Sequence, residues 1–213
     1  MSISMTFILC ALGGYLLGSI PFGLVLTRMC GLGDIRKIGS GNIGATNVLR
    51  TGRKDLALLT VILDAAKAGI AAFIAEKTVN SSDMVIFDLY TQENLVAGLI
   101  AGTFGILGHN FPIWLKFKGG KGVASTLGFL LATAPQVALL ALITWLVVAI
   151  ISRYSSLSAL TAAVLTPIYA FFLTEPIYCI FYTAIACLVI YRHHANIKRL
   201  FLGQESKISF KKK

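Results

Sequence analysis

The chain has 213 residues, of which 56% are hydrophobic and only 13% are charged, and its mean hydropathy is +0.80. An ordinary soluble domain is about 45–50% apolar and about 25% charged, so this composition excludes a water-soluble globule and an intrinsically disordered chain. We therefore expect an integral membrane protein built from helices, each of which needs about 20 residues to cross the bilayer.

Apolar runs alternate with polar stretches along the whole chain. The runs that predict membrane helices cover residues 5–26, 55–75, 94–107, 123–151, 157–174 and 177–191. The polar stretches cover residues 28–54, 76–93, 108–122, 152–158 and 192–213. The first run has no cleavage-site pattern, so we expect it to be retained as a span. We interpret residues 1–213 as a single transmembrane domain.

The run at 123–151 is too long for one simple crossing. At about 1.5 Å per residue it would make a helix of about 44 Å, against a hydrocarbon core of about 30 Å. Basic residues flank both ends, at Lys121 and Arg153, and both ends therefore favour the cytoplasm. Two short helices that turn near residues 132–135 satisfy both conditions, so the sequence predicts a short central helical hairpin.

The placement of charge predicts the topology. The net charge of +10 is distributed between the apolar runs, and the stretch at 76–93 is acidic. With seven helices and the N-terminus outside, every Lys and Arg except Lys67 and Lys77 falls in a cytoplasmic segment, including the C-terminus. Basic loops at a membrane favour the lipid bilayer as a partner and not a nucleic acid. The four cysteines lack metal-site spacing, and we expect no metal.

Two ionisable residues lie inside the second apolar run. Asp64 and Lys67 are three positions apart, so a helix places them on the same face. Ionisable groups inside a membrane are costly and usually functional. The sequence favours an internal ion pair that neutralises itself, and a functional role stays open.

The stretch at 39–50 has the composition of an anion-binding loop. Its glycines permit positive φ, so that backbone N–H groups can converge on a phosphate. The neutral side-chain donors are Ser40, Asn42, Thr46 and Asn47, and Arg50 adds a guanidinium that can bind phosphate with two hydrogen bonds. Loops of this composition are also ordinary turns, so the stretch alone is a weak signal.

The stretch at 108–122 is a stronger candidate. It combines three lysines, at positions 116, 118 and 121, with Gly119, Gly120 and Gly122, and a helix is predicted to follow. Exposed N–H groups, cationic donors and a helix N-terminus are the chemistry of a phosphate loop, although the Walker A spacing is absent. We favour an anion site over the alternative that the lysines only anchor the topology.

The stretches at 152–158 and 192–213 are less specific signals. The serines at 152–158 either cap the next helix or contact a substrate. His193, Asn196 and Leu200 share one helical face, and Glu205 follows them. Together the four stretches predict a cytoplasmic pocket for two phosphate-bearing molecules. A small membrane transporter of phosphorylated metabolites is the alternative, although no inverted repeat is visible.

The first apolar run is interrupted at residues 18–21 by the string Gly-Ser-Ile-Pro. This interruption and the four stretches, in this order, resemble the bacterial membrane acyl-phosphate:glycerol-3-phosphate acyltransferase family. The most specific strings are Gly-Ser-Gly-Asn-Ile-Gly-Ala-Thr-Asn at 39–47 and Lys-Phe-Lys-Gly-Gly-Lys-Gly at 116–122. The resemblance implies an acyltransferase that moves a fatty acyl group from acyl phosphate to the 1-hydroxyl of sn-glycerol 3-phosphate. The products are lysophosphatidic acid and phosphate, in phospholipid biosynthesis. It also implies a bacterial inner-membrane location with a cytoplasmic active site, no cofactor and no obligate protein partner.

The resemblance also implies roles for individual residues. The catalytic candidates are Ser40, Arg50, Lys121, His193 and Asn196. The substrate-binding candidates are Gly41, Asn42, Thr46, Asn47, His109, Lys116, Lys118, Gly119, Gly120, Gly122, Ser155, Ser158 and Glu205. We expect Lys121 and the backbone N–H groups of its glycines to hold a phosphate, and Ser40 and Arg50 to orient glycerol 3-phosphate. The proton acceptor is His109, His193 or, as we favour, the donor's own phosphate oxygen.

Overall fold

The computed structural model describes residues 2–39, 41–86 and 88–208, and the chain divides into two compact units, Met1–Thr133 and Ala134–Lys213. The first unit contains α1 (Ile3–Gly18), α2 (Phe22–Met29), α3 (Ala45–Val48), α4 (Lys54–Thr78), α5 (Glu93–Asn110) and α6 (Val123–Thr133). The second contains α7 (Pro135–Ser152), α8 (Ser155–Leu173), α9 (Pro176–Arg192) and α10 (His194–Phe201). This helical architecture agrees with the expectation from the sequence.

The first unit is held together by close contacts between backbones. Helix α1 packs on α5, where a β-carbon at Gly14 or Gly18 would overlap the backbone of Ala101 or Gly105. Helix α4 packs on α6 through a similar contact at Gly128. Small residues let helices approach closely in a membrane, where apolar side chains gain little by leaving lipid.

The predicted interruption of the first run is confirmed. Helix α1 ends at Gly18 and α2 begins at Phe22, with Pro21 immediately before it. Proline lacks the N–H group that a continuous helix would need at this position. The Tyr15 hydroxyl donates a hydrogen bond of 2.7 Å to the carbonyl of Phe111, and so ties the end of α1 to the end of α5.

A small hairpin interrupts the helices. Strand β1 (Asp83–Ile86) pairs with β2 (Leu89–Gln92) in antiparallel register, with Val85 opposite Tyr90. The sequence does not predict this hairpin, because the paired segments are four residues long and too short to show a clear alternation.

The break within the run at 123–151 is confirmed at Ala134, and Pro135 takes the first position of α7. Helix α6 has 11 residues but α7 has 18, so the second arm is longer than predicted. In the described part of the chain, five segments are long and apolar enough to cross a membrane. The bent pair α9 and α10 makes a sixth if it is one span. The count of seven and the orientation of the termini stay predictions.

The second unit packs α8 against both α7 and α9, and α10 contacts α8 and α9. Thr144 and Tyr169 share a hydrogen bond of 2.7 Å between α7 and α8. Tyr182 of α9 is almost fully buried. Because α10 follows α9 at a bend of 59°, the polar residues after Arg192 lie beside the start of α8.

Candidate active site

The basic stretch between α2 and α4 has a hydrophobic core of its own. Its buried members are Leu24, Ile35, Ile43, Val48, Leu56 and Ala57. Leu115, from the stretch at 108–122, packs against this cluster. Within the first unit, therefore, the two stretches that the sequence singled out as phosphate loops are held on one core.

Asn47 fixes the shape of the stretch at 39–50. Its buried side-chain amide donates hydrogen bonds of 2.7 Å to the carbonyl of Ile35 and 2.8 Å to that of Asn42. Its oxygen accepts a hydrogen bond of 3.3 Å from Arg50. These hydrogen bonds build the loop and orient Arg50, and the substrate contact expected of Asn47 stays a prediction.

Arg50 itself is exposed to solvent, as a residue that binds a soluble anion must be. Gly39 adopts a φ of +54°, and a β-carbon there would overlap the Arg50 side chain. Gly41 and Thr46 are exposed, and the Asn42 side chain accepts a weak hydrogen bond of 3.4 Å from the N–H of Gly44. Ser40, a predicted catalytic residue, lies outside the described residues.

Gly119 and Gly120, which precede Lys121, pack closely on the end of helix α5. Helix α5 extends to Asn110, so His109 and Asn110 are helical. The N–H of Gly119 donates to the carbonyl of Asn110 at 3.2 Å, and that of Gly120 donates to the carbonyl of His109 at 2.9 Å. These two amides close the turn onto the end of α5, and their expected contact with a phosphate stays a prediction.

The remaining predicted groups of this stretch face different surroundings. Lys116 and Lys118 are exposed, whereas Lys121 is partly buried just before the first turn of α6. Gly122 has a φ of +83° and lies beside the side chain of Asn110. That side chain is fully buried, and among the described residues its amide nitrogen and oxygen have no hydrogen-bond partner. Such a group is normally paired by water or a ligand.

Three buried ionisable side chains meet below this turn. Asp64 Oδ1 lies 3.0 Å from Lys67 Nζ and 3.6 Å from His109 Nδ1. The ion pair that the spacing of Asp64 and Lys67 predicted is confirmed. The position of His109 beside it was missed. A β-carbon at Gly120 would overlap the His109 ring, so the imidazole lies directly under the turn.

In the second unit, Glu205 gathers three donors. Its Oε1 accepts hydrogen bonds from Ser156 at 2.7 Å and Asn196 at 2.6 Å, and its Oε2 accepts one from Arg199 at 2.6 Å. Burial opposes ionisation, but these hydrogen bonds prevail and hold the pKa of the Glu205 carboxyl below its ordinary value. Glu205 therefore organises protein groups, and its assignment as a substrate contact stays a prediction.

The serines before and in α8 lie in different surroundings. Ser158 is buried, and its hydroxyl donates to the carbonyl of Tyr154, which precedes α8, at 2.8 Å; its expected substrate contact stays a prediction. Ser155 is half-buried at the first position of α8. The serine that joins another stretch is Ser156, which was not among the candidates. The signal for it was present only as a hydroxyl-rich segment.

His193 and Asn196 are both buried; His193 lies at the break between α9 and α10, and Asn196 lies within α10. His193 Nδ1 lies 2.7 Å from the carbonyl of Val189. A carbonyl can only accept, so Nδ1 carries the proton and a neutral ring would use Nε2 as its basic nitrogen. The residues after α10 then return to the start of α8, where the Arg153 guanidinium donates to the carbonyl of Ile208 at 3.1 Å.

The sequence profile of the family described as glycerol-3-phosphate acyltransferase matches residues 8–203. The chain belongs to this family. A glycerol-3-phosphate acyltransferase of Rhodospirillum rubrum is 58% identical over 96% of this chain and 92% of its own length. One of Paramagnetospirillum magneticum is 54% identical over 95% and 94%.

Solved structures agree with this assignment. The crystal structure of PlsY (YgiH), an integral membrane glycerol 3-phosphate acyltransferase, in its glycerol 3-phosphate form is 36% identical with a TM-score of 0.84. That match covers 95% of this chain and 96% of PlsY. The lysophosphatidic acid form of PlsY is 35% identical with a TM-score of 0.82, and covers 95% of each chain. This chain is therefore a multi-pass membrane acyltransferase, and the transporter alternative is not favoured.

Proposed function

We propose that this acyltransferase moves a fatty acyl group from acyl phosphate to the 1-hydroxyl of sn-glycerol 3-phosphate. The observation that carries the proposal lies within the first unit. There, the stretch with Arg50 and the stretch with Lys121 are packed on one hydrophobic core. Two cationic groups on two ordered loops suit a reaction whose two substrates both carry phosphate.

An acyl phosphate is a mixed anhydride, so the acyl group is already activated. The hydroxyl oxygen forms an ester bond with the acyl carbon, and the bond between that carbon and the phosphate oxygen breaks. Phosphate leaves with the electron pair and takes up the hydroxyl proton. Such a reaction needs two anions held in the correct orientation and the developing charge stabilised.

Lys121 is the residue that we assign to the departing phosphate. It precedes the N-terminus of α6, whose first N–H groups have no partner within the helix and attract anions. The buried Asn110 amide beside Gly122 supports a polar ligand at this position. Arg50 is assigned to glycerol 3-phosphate, with Ser40 as a further predicted contact.

His193 and Asn196 of the second unit keep their predicted catalytic assignment. Asn196 is held by Glu205, and His193 is oriented through Nδ1. We keep the donor's phosphate oxygen as the proton acceptor. Replacement of His109 or His193 by Ala should then leave measurable turnover, and a loss of about 10³-fold or more in either variant would contradict this assignment.

The location follows from charge. Both stretches of the first unit are basic, and basic loops favour the cytoplasmic side. We therefore place the active site on the cytoplasmic face of a bacterial inner membrane, without an obligate protein partner.

The test uses the purified full chain in detergent with palmitoyl phosphate and glycerol 3-phosphate, and it measures phosphate release. We expect release that requires both substrates and is abolished in Lys121→Ala and Arg50→Ala; with acyl-coenzyme A as donor we expect no lysophosphatidic acid. Lys77→Ala is the matched control, because Lys77 is exposed at the far end of α4. No release from folded wild-type protein would overturn the proposal.

A further inference from the structure

The ion pair in α4 is almost completely removed from solvent. Lys67 is 2% exposed, Asp64 is 3% exposed, and the neighbouring His109 is 5% exposed. Taking two charges out of water is expensive, and apolar side chains of similar size are often at least as stabilising. The folding of the bundle therefore does not by itself require this pair.

Lys67 holds the break between α1 and α2. Its ammonium donates a hydrogen bond of 3.0 Å to the carbonyl of Ile20 and lies 5.9 Å from the ring centre of Phe22, the first residue of α2. Helix α2 contributes Leu24 to the core under the stretch at 39–50. Lys67 therefore anchors the segment that leads into the loop of Arg50.

Asp64 supports the turn that carries Lys121. Its carboxylate lies beside the His109 imidazole, and that ring lies beneath Gly120. The backbone carbonyl of Asp64 also accepts a hydrogen bond of 2.7 Å from Ser125 in the first turn of α6. The residues on both sides of Lys121 thus rest on groups that Asp64 contacts.

We propose that Asp64 and Lys67 are positioning residues for the acyl transfer: one buried ion pair sets the placement of the Arg50 loop and the Lys121 turn relative to each other. The proposal rests on the proposed function. Neither residue needs to touch a substrate. A misplacement of about 1 Å in a positioned group can cost about 100-fold in rate, so a small shift of either loop is sufficient.

The deciding variant replaces the whole pair, Asp64→Leu with Lys67→Met. We expect it to fold with an unfolding temperature close to that of the wild type, since no charge of the pair is left buried without its partner. We expect kcat/KM for phosphate release to fall by about 100-fold, mainly in kcat. A folded double variant with kcat/KM within about threefold of the wild type would overturn the proposal.

Two further variants separate positioning from packing. The exchanged pair, Asp64→Lys with Lys67→Asp, keeps neutrality but removes the ammonium from Ile20 and the carboxylate from His109. We expect no recovery of activity, and recovery would show that neutrality alone matters. Thr60→Val is the matched control in the same helix, because Thr60 is buried and its hydroxyl donates to Leu56 in its own helix. Its kcat/KM should stay near that of the wild type.

Amide hydrogen exchange gives a readout that does not depend on turnover. The N–H of Gly120 is protected by the carbonyl of His109. In the double variant Asp64→Leu with Lys67→Met, peptides that cover residues 116–122 should exchange faster, whereas Thr60→Val should leave them unchanged. Unchanged exchange in both proteins would overturn the proposal. Lack of turnover by the wild type, in contrast, would overturn only the proposed function.

Discussion

Asp64 and Glu205 each lie beside basic or polar side chains, two for Asp64 and three for Glu205, but their surroundings differ. Asp64 lies inside a membrane helix next to Lys67 and His109, whereas Glu205 lies in the segment after α10 with Ser156, Asn196 and Arg199. The first cluster is costly to form and fails when one charge is removed. The second cluster is closer to water, and its contribution to the stability of the protein depends on pH. Burial, and not the number of partners, determines how each cluster responds to change.

The largest effect should come from removing one charge of the buried pair. Lys67→Met leaves the Asp64 carboxylate in the helix bundle without its ammonium, which should lower the free energy of unfolding by about 3–5 kcal/mol. Unfolding in a detergent titration measures this loss. Lys77→Met, at the exposed end of the same helix, is the control and should unfold like the wild type. A loss below about 1 kcal/mol in Lys67→Met would remove the contrast between the two clusters.

A smaller effect is expected at Glu205. Glu205→Gln removes the charge that three donors share, and hydrogen bonds to charged groups contribute about 1.5–3 kcal/mol each. Because the amide can keep one acceptor, we expect a loss of about 2–3 kcal/mol in the same titration. Glu175→Gln is the control, since Glu175 is exposed and makes no side-chain capping bond at the start of α9. Equal stability of the two variants would show that the cluster does not stabilise the protein.

The contribution of Glu205 to stability should depend on pH. Its pKa in the folded protein is lower than in the unfolded chain, so its contribution to stability is present above the ordinary glutamate value of about 4.3. That contribution is lost as the pH falls through the lowered pKa. The difference in stability between wild type and Glu205→Gln should therefore be constant near neutral pH and shrink below about pH 4.5. A difference that grew with acidity would contradict this sign.

The smallest effect is expected at Asp34, a partly buried carboxylate whose arginine partners are exposed. Asp34 accepts hydrogen bonds from Arg36 and Arg28, and the bond from the Arg36 side chain is the main cause of its lowered pKa. Solvent screens this cluster, so Asp34→Asn should cost less than about 1 kcal/mol. Asp83→Asn on the exposed strand is the control. A cost as large as that of Glu205→Gln would show that burial is not the deciding variable.

The sequence predicted those features that local geometry determines. Helical spacing alone brings Asp64 to Lys67, and this prediction is confirmed. The place of His109 could not be predicted, because it depends on how α5 packs between α1 and α4. The return of Ile208 to Arg153 depends likewise on tertiary structure.

Glycine patterns predicted that another group approaches the backbone closely, but they did not predict which group. The run at 119–122 was interpreted as room for a phosphate, whereas Gly119 and Gly120 leave room for the end of α5. A missing β-carbon indicates that something comes near the backbone, but not what it is. In the same way, the sequence could not predict that the amide of Asn47 builds the loop, because its two acceptor carbonyls come from other positions of the fold.

The glycine contacts between α1 and α5 also constrain the order in which the protein can be assembled. Helix α1 is synthesised first, and α2, α3, α4 and the β-hairpin all follow before α5 leaves the ribosome. Until then Gly14 and Gly18 face lipid or another chain instead of Ala101 and Gly105. Pairing of α1 with α5 is therefore possible only after half of the chain has been translated, and the stretches at 39–50 and 108–122 can acquire their final positions only then.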